Sequence, residues 1–386
     1  MPASHIVPRL SLLAASLVVF IAACDRDMGQ PAAPATEDPI AQEPAPMPSE
    51  TNPATPPQAD AQMQAVLDQL AKLGGKPIET LEPAEARKQP TPADAVKALL
   101  QAQAKPAAPE AVAKVENSTF PGPAGAVPIR IYTPSSDAAG PMPVILYIHG
   151  GGWVIADLDT YDASPRALAN AAKAIVVSTH YRQGPEHKFP ASHDDTLAAY
   201  EWLIKNAGKF NGDPKRIALV GESAGGNMAA NIAIAARDNH WQAPLHQVLV
   251  YPVADNDLNS PSYIENANAK PLNKPMIEWF VKHYVGDAAK TADPRIALVK
   301  QPSLANLAPA TIILAQIDPL RSDGEKYAEK LRAAGVPVTV QTYDGVTHEF
   351  FGMGAVVDKA KQAQQLAGEQ LRKAFAGSAT TQAVTN

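Results

Sequence analysis

Hydrophobic residues between about residue 127 and residue 375 follow two alternating patterns. Short apolar runs rich in β-branched side chains predict buried strands, and apolar residues at every third or fourth position predict amphipathic helices. Strands and helices that alternate along a chain are typical of a mostly parallel sheet covered by helices on both faces. The pattern therefore predicts an α/β fold. The predicted strands are Val127–Tyr132, Val144–Ile148, Ile175–Thr179, Ile217–Val220, Val248–Tyr251, Thr311–Ala315 and Val338–Tyr343, and the predicted helices are Thr196–Lys205, the segment after Gly226, Glu325–Ala334 and Ala360–Phe375.

Further helices are predicted upstream of the first strand. Apolar residues recur at helical spacing from Met63 to Leu73, where two glycines follow, and again from Ala95 to Leu100. Because this region precedes any predicted strand, we expect residues 61–115 to lie over the sheet as part of a helical cap. Two helices that simply pack on the sheet would give the same periodicity. The aromatic segment at about residues 258–290 is expected to add the rest of the cap.

The first residues of the chain have the pattern of an export signal. An apolar run from Leu10 to Ala23 follows Arg9, and its length fits a secretory signal but not a membrane-spanning helix. Small residues precede Cys24, as in bacterial lipoprotein signals. Residues 1–23 are therefore predicted to be a signal peptide, and Cys24 to carry a lipid anchor that holds the protein on a membrane facing the periplasm or the cell exterior. The alternative is an ordinary signal peptide and a secreted, soluble protein.

Composition divides the rest of the chain. Residues 24–60 are rich in proline and alanine with almost no aromatic residues, which predicts a semi-extended tether after the lipidated cysteine. Residues 61–376 have the composition of a globular domain and are long enough for one large core, and residues 377–386 are predicted to be a disordered tail. Cys24 is the only cysteine, so no disulfide can form within the chain. The net charge of −6 and the lack of a basic cluster argue against a nucleic-acid partner.

One five-residue motif stands between a predicted strand and a predicted helix. Gly221–Gly225 has the form G-x-S-x-G, with Ser223 at its centre. A strand that turns into a helix within a few residues strains the central backbone, admits only small neighbours and exposes the serine at the helix N-terminus. The motif alone arises by chance in roughly one chain in ten of this length. Its interpretation as the site of a nucleophilic serine therefore depends on residues elsewhere in the chain.

Such residues follow three other predicted strands. After the second strand, three consecutive glycines, Gly150–Gly152, leave backbone N–H groups uncovered where they can approach a negatively charged oxygen. Asp318 follows the sixth predicted strand, and His348 follows the seventh. The chain order Ser, Asp, His is one of the known orders of a catalytic triad. Because ligands bind at the carboxyl ends of the strands in such sheets, we expect these residues to meet.

Together these motifs resemble those of the α/β-hydrolases of the hormone-sensitive-lipase type, the bacterial family IV esterases that carry an HGGG motif. The resemblance extends from about residue 67 to residue 375. It implies an α/β-hydrolase fold with a helical cap, and a carboxylesterase or lipase-like serine hydrolase that acts on short- to medium-chain acyl esters. The segments that carry it are His149–Trp153, His180–Arg182, Pro185–His187, Phe189–Ala191, Asp194–Asp195, Gly221–Gly226, Asp318–Arg321 and Thr347–Phe350.

The resemblance also implies which residues take part in the reaction, and it implies no cofactor and no metal ion. It selects the second and third glycines of the motif as donors to the oxyanion, whereas the residues alone leave Gly150 open. The implied residues are the catalytic triad Ser223, Asp318 and His348, and the oxyanion-hole amides of Gly151, Gly152 and Ala224.

At two positions the chain departs from the family pattern. Gln183-Gly184 stands where the family usually has Leu-Ala, and Glu349 stands where glycine usually follows the histidine. Both positions are expected near the site or in the loop that supports it. They bear on substrate preference more than on the type of reaction.

Several alternatives remain open at the level of sequence. An amidase or a lactonase would use the same triad. A catalytically inactive binding module would keep the fold, although the intact motifs argue against this hypothesis. Asp323 and Asp344 compete with Asp318 for the role of the acid. The predicted partners are a small ester substrate and a membrane reached through Cys24. The sequence leaves the oligomeric state open, and a dimer is compatible with it.

Cys24→Ser is expected to release the protein from the membrane or stall its processing, without changing hydrolysis by the folded domain. By analogy a lipoprotein cysteine carries several acyl chains, and two or more chains anchor a protein firmly whereas one binds marginally. Fractionation of wild type and variant in a bacterial host, with a high-salt wash, measures the difference. A wild type found wholly in the soluble fraction, with a mature N-terminus that lacks a modified Cys24, would contradict the anchor.

Overall fold

The computed structural model describes residues 57–136 and 139–384, without the side chains of residues 288 and 378–384. In this part of the chain eight strands form one sheet, and the seven predicted strands correspond to the last seven of them. The predicted signal peptide, Cys24 and the tether up to residue 56 lie outside the described residues. The strands are β1 Lys114–Gly122, β2 Gly125–Thr133, β3 Met142–Ile148, β4 Ile175–Thr179, β5 Gly212–Glu222, β6 Gln247–Val250, β7 Ala310–Ile317 and β8 Val338–Thr347.

Helices precede the sheet and connect its strands. No helix among the described residues is long and apolar enough to cross a membrane. The helices are α1 Ala61–Lys72, α2 Pro83–Ala86, α3 Pro92–Ala102, α4 Ala163–Ala172, α5 Ala191–Asn206, α6 Ala224–Asp238, α7 Pro261–Glu265, α8 Lys274–Tyr284, α9 Arg321–Ala333 and α10 Asp358–Val384.

The strand order in the sheet is β1-β2-β4-β3-β5-β6-β7-β8. β1 and β2 form an antiparallel hairpin and β2 pairs antiparallel with β4, whereas every pair from β4 to β8 is parallel. The predicted α/β fold with a mostly parallel sheet is therefore confirmed. Parallel pairing places the carboxyl ends of β3, β5, β7 and β8 at one edge of the sheet, where ligands bind in folds of this kind.

Both faces of the sheet are buried, which explains the continuous apolar runs in its strands. Successive side chains of a strand point to opposite faces. On β3, Leu146 and Ile148 belong to one hydrophobic cluster, while Ile145 and Tyr147 belong to the other. Side chains of α5, α6 and α9 join the first cluster, and side chains of α4 and α10 join the second. The sheet is therefore the middle layer of three.

Strand β1 and helix α4 were not predicted from the sequence, and neither were the short helices α2 and α7. Strand β1 has mostly exposed side chains and no apolar run, and it is held in place by its pairing with β2 along the whole hairpin. Helix α4 consists largely of alanine, which favours a helix but gives little hydrophobic pattern. Periodicity detects elements that have large apolar side chains along one face, so it missed the polar strand and the alanine-rich helix.

The domain boundaries also differ from the predicted ones. Helix α10 continues to Val384, whereas residues 377–386 were predicted to be a disordered tail; the segment has no proline that would interrupt the backbone hydrogen bonds. At the other end, Asp60 was assigned to the tether. Its carboxylate accepts the N–H of Met63 at 2.9 Å as the N-cap of α1 and pairs with Lys359 at 2.8 Å. Asp60 is therefore part of the folded domain.

The cap regions share their core with the sheet. Met63 and Val66 of α1 and Ala95 of α3 are buried in the same cluster as side chains of α10. Ile277 and Phe280 of α8 are buried in the cluster on the other face of the sheet. The second region is thus anchored in one cluster, whereas the first region also reaches that cluster through helix α2, and buried side chains set the positions of both regions relative to the sheet.

Candidate active site

Ser223 is the single residue between β5 and α6. Its backbone has φ 57° and ψ −120°, a conformation that costs a non-glycine residue about 1–3 kcal/mol. A Cβ at Gly221 would lie 2.2 Å from the carbonyl oxygen of Gly225, and a Cβ at Gly225 would lie 2.0 Å from that of Ile148. Only glycine fits at either position. The strained turn predicted from the G-x-S-x-G motif is present, and it places the serine at the N-terminus of α6.

Ser223, His348 and Asp318 form a hydrogen-bonded line. Nε2 of His348 is 3.0 Å from Oγ of Ser223, and Nδ1 is 2.7 Å from Oδ2 of Asp318. The N–H of Leu320 donates to the other carboxylate oxygen of Asp318 at 2.8 Å and holds it in place. Because an ionised carboxylate can only accept, Nδ1 carries the proton and Nε2 is free to accept from the serine hydroxyl. This is the arrangement that activates a nucleophilic serine.

The surroundings of His348 favour its protonated form. Burial disfavours the charged imidazolium, but the Asp318 carboxylate outweighs this effect, and Glu349 and Glu222 add to it, so the pKa of His348 is raised above its ordinary value. The ring of Tyr251 packs against the imidazole, with 4.3 Å between the ring centroids. A raised pKa makes His348 a stronger base toward a hydroxyl proton.

The two alternative acids lie elsewhere. Asp323 is fully buried, and its Oδ2 accepts the backbone N–H groups of Ala254 and Asp255 at 3.0 and 2.9 Å. Burial raises the pKa of Asp323 to about 8, so this carboxyl is largely neutral at pH 7. Asp344 has an exposed side chain. Of the three carboxyl groups considered, only that of Asp318 contacts His348.

The loop after β3 brings backbone amides to the elbow. Gly151 and Gly152 have φ values of 93° and 56°, in the region that favours glycine, and both line the cavity that reaches the serine. Gly150, which the residues alone left open, is not among the described residues that line this cavity. Within the described part of the chain, the N–H groups of Gly151, Gly152 and Ala224 have no hydrogen-bond acceptor. These amides are therefore available to a ligand.

Arg87, which follows α2, connects the cap to the loops around the site. Its guanidinium pairs with Glu186 at 2.7 and 2.8 Å and donates to the carbonyls of Val154 and Gly184 at 2.8 and 2.6 Å. Glu186 belongs to one of the segments that carry the family resemblance, but the sequence did not indicate its partner. A single arginine in a polar segment carries no signal that distinguishes it from a solvated surface residue.

The first departure from the family pattern stabilises the same loops. The side-chain amide of Gln183 donates to the carbonyls of Ile155 and Ala156 at 2.8 and 2.9 Å. A Cβ at Gly184 would lie 2.8 Å from the carbonyl oxygen of His283 in α8. Gln183 therefore fixes the segment after the three glycines, and Gly184 allows the cap to pack closely against it.

A cavity of about 1410 Å³ reaches Ser223 and His348. It is larger than the roughly 300–1,000 Å³ of most small-molecule sites. Both regions predicted to form the cap contribute to its wall, with mainly apolar side chains. These include Leu67, Leu70, Ile78 and Ala86 from the first region and Leu272, Ile277 and Phe280 from the second.

The aromatic residues of the glycine loop and of the second cap region divide into two groups with respect to the cavity. Trp153, Tyr263 and Phe280 line the cavity. Trp279 instead donates its indole N–H to a backbone carbonyl in the N-terminal cap region at 3.0 Å. Tyr284 stacks on Trp153 from behind, with 5.1 Å between the ring centroids. The second group therefore supports the wall that the first group forms.

Two carboxyl groups lie close to the triad, and sequence reasoning did not connect them. Glu222 is fully buried and accepts the hydroxyls of Tyr147 and Tyr251 at 2.5 Å each. The pKa of Glu222 is raised to about 7, mainly by burial and to a smaller extent by the nearby Glu349. Glu349 accepts the hydroxyl of Tyr161 at 2.6 Å. The tyrosines come from separate strands and loops, so no local sequence motif indicates this network.

The described residues contain no group of three or more His, Cys, Asp or Glu side chains arranged to hold a metal ion. The buried histidines outside the site are bonded to neighbours. His193 lies 2.8 Å from the hydroxyl of Tyr284 and 3.0 Å from Asn227, and His246 lies 2.9 Å from the hydroxyl of Thr311. These contacts are those of packed core histidines.

Comparison with known proteins agrees with this geometry. Residues 145–352 match the family described as the alpha/beta hydrolase fold. The chain belongs to the α/β-hydrolases. Carboxylesterase NlhH of Mycobacterium tuberculosis is 42% identical to it over 240 residues, which are 61% of this chain and 75% of that protein. The ethyl acetate hydrolase of Pseudomonas putida is 34% identical over 299 residues, which are 77% of this chain and 92% of that protein.

A solved structure of an esterase is also similar to this chain. A hyperthermophilic esterase from the archaeon Pyrobaculum calidifontis is 32% identical, with a TM-score of 0.73 over 82% of this chain and 98% of that one. The predicted α/β-hydrolase fold is thereby confirmed. This α/β-hydrolase is a carboxylesterase-like enzyme, similar to the hormone-sensitive-lipase-like esterases of family IV.

Gly225→Ala is expected to destabilise this α/β-hydrolase by about 3 kcal/mol or more, because the added methyl group would meet backbone atoms of the neighbouring strand that cannot rotate away. The measurement is the free energy of unfolding in urea. Gly208→Ala is the matched control, since its added methyl group has no atom within 4 Å. Equal stability of the two variants would contradict the role assigned to the tight elbow.

Proposed function

We propose that this α/β-hydrolase is a serine carboxylesterase that hydrolyses short- to medium-chain acyl esters. The observation that carries the proposal is the line from Ser223 through His348 to Asp318, with separations of 3.0 and 2.7 Å, at one wall of a large cavity. The printed names of its relatives, a carboxylesterase and an ethyl acetate hydrolase, support the same type of reaction.

Acylation begins when Oγ of Ser223 attacks the ester carbonyl carbon. A serine hydroxyl is a weak nucleophile at neutral pH, so Nε2 of His348 accepts its proton as the new C–O bond forms. Asp318 keeps the imidazole in the required tautomer and stabilises the imidazolium. The imidazolium then gives the proton to the leaving alcohol, and the acyl group remains on Ser223.

The carbonyl oxygen becomes negatively charged in the tetrahedral intermediate. In the proposed mechanism it accepts hydrogen bonds from the N–H groups of Gly151, Gly152 and Ala224, which have no acceptor within the described part of the chain. Loss of one such donor typically raises the barrier by about 3 kcal/mol. The positive φ values of the two glycines support this role, because they turn the loop so that its amides are not consumed by regular secondary structure.

Deacylation repeats the same steps with water. His348 accepts a proton from the water molecule that attacks the acyl-enzyme, and then returns it to Oγ of Ser223 as the acid leaves. The sequence of proton transfers needs only the triad and the oxyanion-hole amides. No cofactor or metal ion enters the proposed reaction.

The preference for short to medium acyl chains is part of the proposal. Ring atoms of Phe280 lie 2.2 to 2.6 Å from where a Cβ of Gly152 would stand, and both residues line the cavity that reaches the serine. A relative that covers most of the chain is named for the hydrolysis of ethyl acetate, an ester with a two-carbon acyl group. In this proposal the Phe280 ring limits the space for the acyl group, and the rest of the cavity receives the alcohol or the end of a medium acyl chain.

We further propose that the enzyme is exported and anchored through a lipid on Cys24, with residues 24–60 acting mainly as a tether. The support is the order of signals in the sequence, an apolar run, small residues before a lone cysteine and a proline-rich segment. A tethered domain of this kind meets soluble esters while it remains at the membrane.

Wild type is expected to hydrolyse p-nitrophenyl esters, with kcat/KM highest for acyl chains of about two to eight carbons and lower for long chains and for the matching anilides. Ser223→Ala should retain less than about one hundredth of the wild-type rate, because no other group replaces the nucleophile. The melting temperature of the variant should stay near that of wild type. A higher residual rate would exclude Ser223 as the nucleophile, and a preference for anilides would identify an amidase.

Asp318→Asn should lower kcat by about a thousandfold or more, because an amide can favour the wrong tautomer of the histidine. Asp344→Asn is the matched control, since Asp344 is an exposed carboxylate close in sequence to His348, and it should have near wild-type kcat. The measurement is the hydrolysis rate of a short p-nitrophenyl ester. A large loss in Asp344→Asn without one in Asp318→Asn would reverse the assignment of the acid.

A further inference from the structure

Glu349, the second departure from the family pattern, follows His348 directly. Its φ of 70° places it in the left-handed region. Glycine adopts this conformation without strain, whereas a side chain carries a penalty there. The local backbone therefore favours glycine at this position, and the reason for a glutamate must lie in its side chain.

The side chain of Glu349 is directed toward the reacting nitrogen of His348. Its Oε1 lies 3.9 Å from Nε2, the nitrogen that faces Ser223, and it lines the same cavity as the serine. The hydroxyl of Tyr161 donates to Oε1 at 2.6 Å and holds the carboxylate in that position. At 3.9 Å the carboxylate acts on Nε2 through its charge but does not replace Ser223, which is hydrogen-bonded to Nε2 at 3.0 Å.

We propose that Glu349 is a second carboxylate of the active site, whose negative charge stabilises the imidazolium formed when His348 accepts the proton of Ser223. The inference rests on the proposed serine esterase function. Asp318 acts on Nδ1, and Glu349 acts on the opposite nitrogen. The proton still moves from Oγ to Nε2 and then to the leaving alcohol, while Glu349 stays ionised. Glu349 is thus a positioning residue that acts through His348.

Several polar and charged groups surround His348 and Glu349. Burial raises the pKa of Glu349, and the neighbouring His348 partly offsets this effect. As the pH falls, Glu349 therefore loses its charge at a higher pH than an ordinary glutamate does. The groups that face the imidazole or the Glu349 carboxylate are Asp318 after β7, Glu222 at the end of β5, Tyr251 after β6, Tyr161 before α4, and Ser223.

The test is the pH profile of kcat/KM for a short p-nitrophenyl ester, measured on the full chain. Its acid limb reports the pKa of the base in the free enzyme. Glu349→Gln keeps an oxygen for the Tyr161 hydroxyl but removes the charge, so the imidazolium becomes less stable and the acid limb should move to lower pH. The attraction between two opposite unit charges 3.9 Å apart in a medium as polar as water raises the pKa of the imidazolium by about one unit. The acid limb of the variant is therefore expected to lie about one pH unit lower. Above the limb, kcat should fall roughly three- to tenfold because the transition state loses the same stabilisation.

Glu349→Gly provides a second variant that the backbone accepts without strain. It should show the same shift, while relief of backbone strain and loss of the hydrogen bond from Tyr161 have opposite effects on its melting temperature. Two control variants should leave the acid limb in place. Glu325→Gln removes an exposed carboxylate of α9 that lies 3.5 Å from Arg321, and Asn306→Gly relaxes an exposed residue with φ 60° without changing the charge.

The outcomes separate the inference from the function on which it rests. A limb displaced to lower pH in both Glu349 variants, and not in the controls, supports the inference. If both variants keep the wild-type limb within about 0.2 pH unit, or move it to higher pH, while Ser223→Ala is inactive, the inference is overturned and the proposed function stands. If Ser223→Ala remains active, both are overturned.

Discussion

The strained connection between β5 and α6 is the constraint on which the rest of the site depends. A single residue with φ 57° separates the strand from the helix, and the space for this turn exists only because Gly221 and Gly225 have no side chains. The N–H of Ser223 donates to the carbonyl of Val250 at 2.9 Å, which ties the turn to the neighbouring strand. A penalty of about 1–3 kcal/mol is small beside the burial of a parallel sheet on both faces. The core therefore holds the serine in a position that a free loop would leave.

Parallel pairing then determines what the serine meets. The glycine loop follows β3, the serine follows β5, Asp318 follows β7 and His348 follows β8, and all four strands end at the same edge of the sheet. Residues that are 125 positions apart in sequence, Ser223 and His348, thereby come within hydrogen-bonding distance. The cap regions contribute the wall of the cavity, while the sheet sets the distances within the triad.

Much of this arrangement could be predicted because its signals are local. Each triad residue follows a predicted strand within about five residues, and the glycines that permit the elbow lie two residues before and after the serine. The features that escaped prediction depend on partners that are distant in sequence or on elements without a buried face. Strand β1 is polar and exposed, Arg87 is bonded to Glu186 99 residues away, and Glu349 is bonded to Tyr161 188 residues away. Such pairs have no common motif, so only the folded chain reveals them.

The central claim is that Ser223, activated by His348, is the nucleophile of an esterase. The most direct measurement is peptide mass spectrometry after reaction of the full chain with a fluorophosphonate. We predict a single adduct, on the peptide that contains Ser223, which forms in step with the loss of ester hydrolysis and forms at least about a hundredfold more slowly in His348→Ala. Complete loss of activity with the adduct on another residue, or equally fast labelling of His348→Ala, would contradict the account.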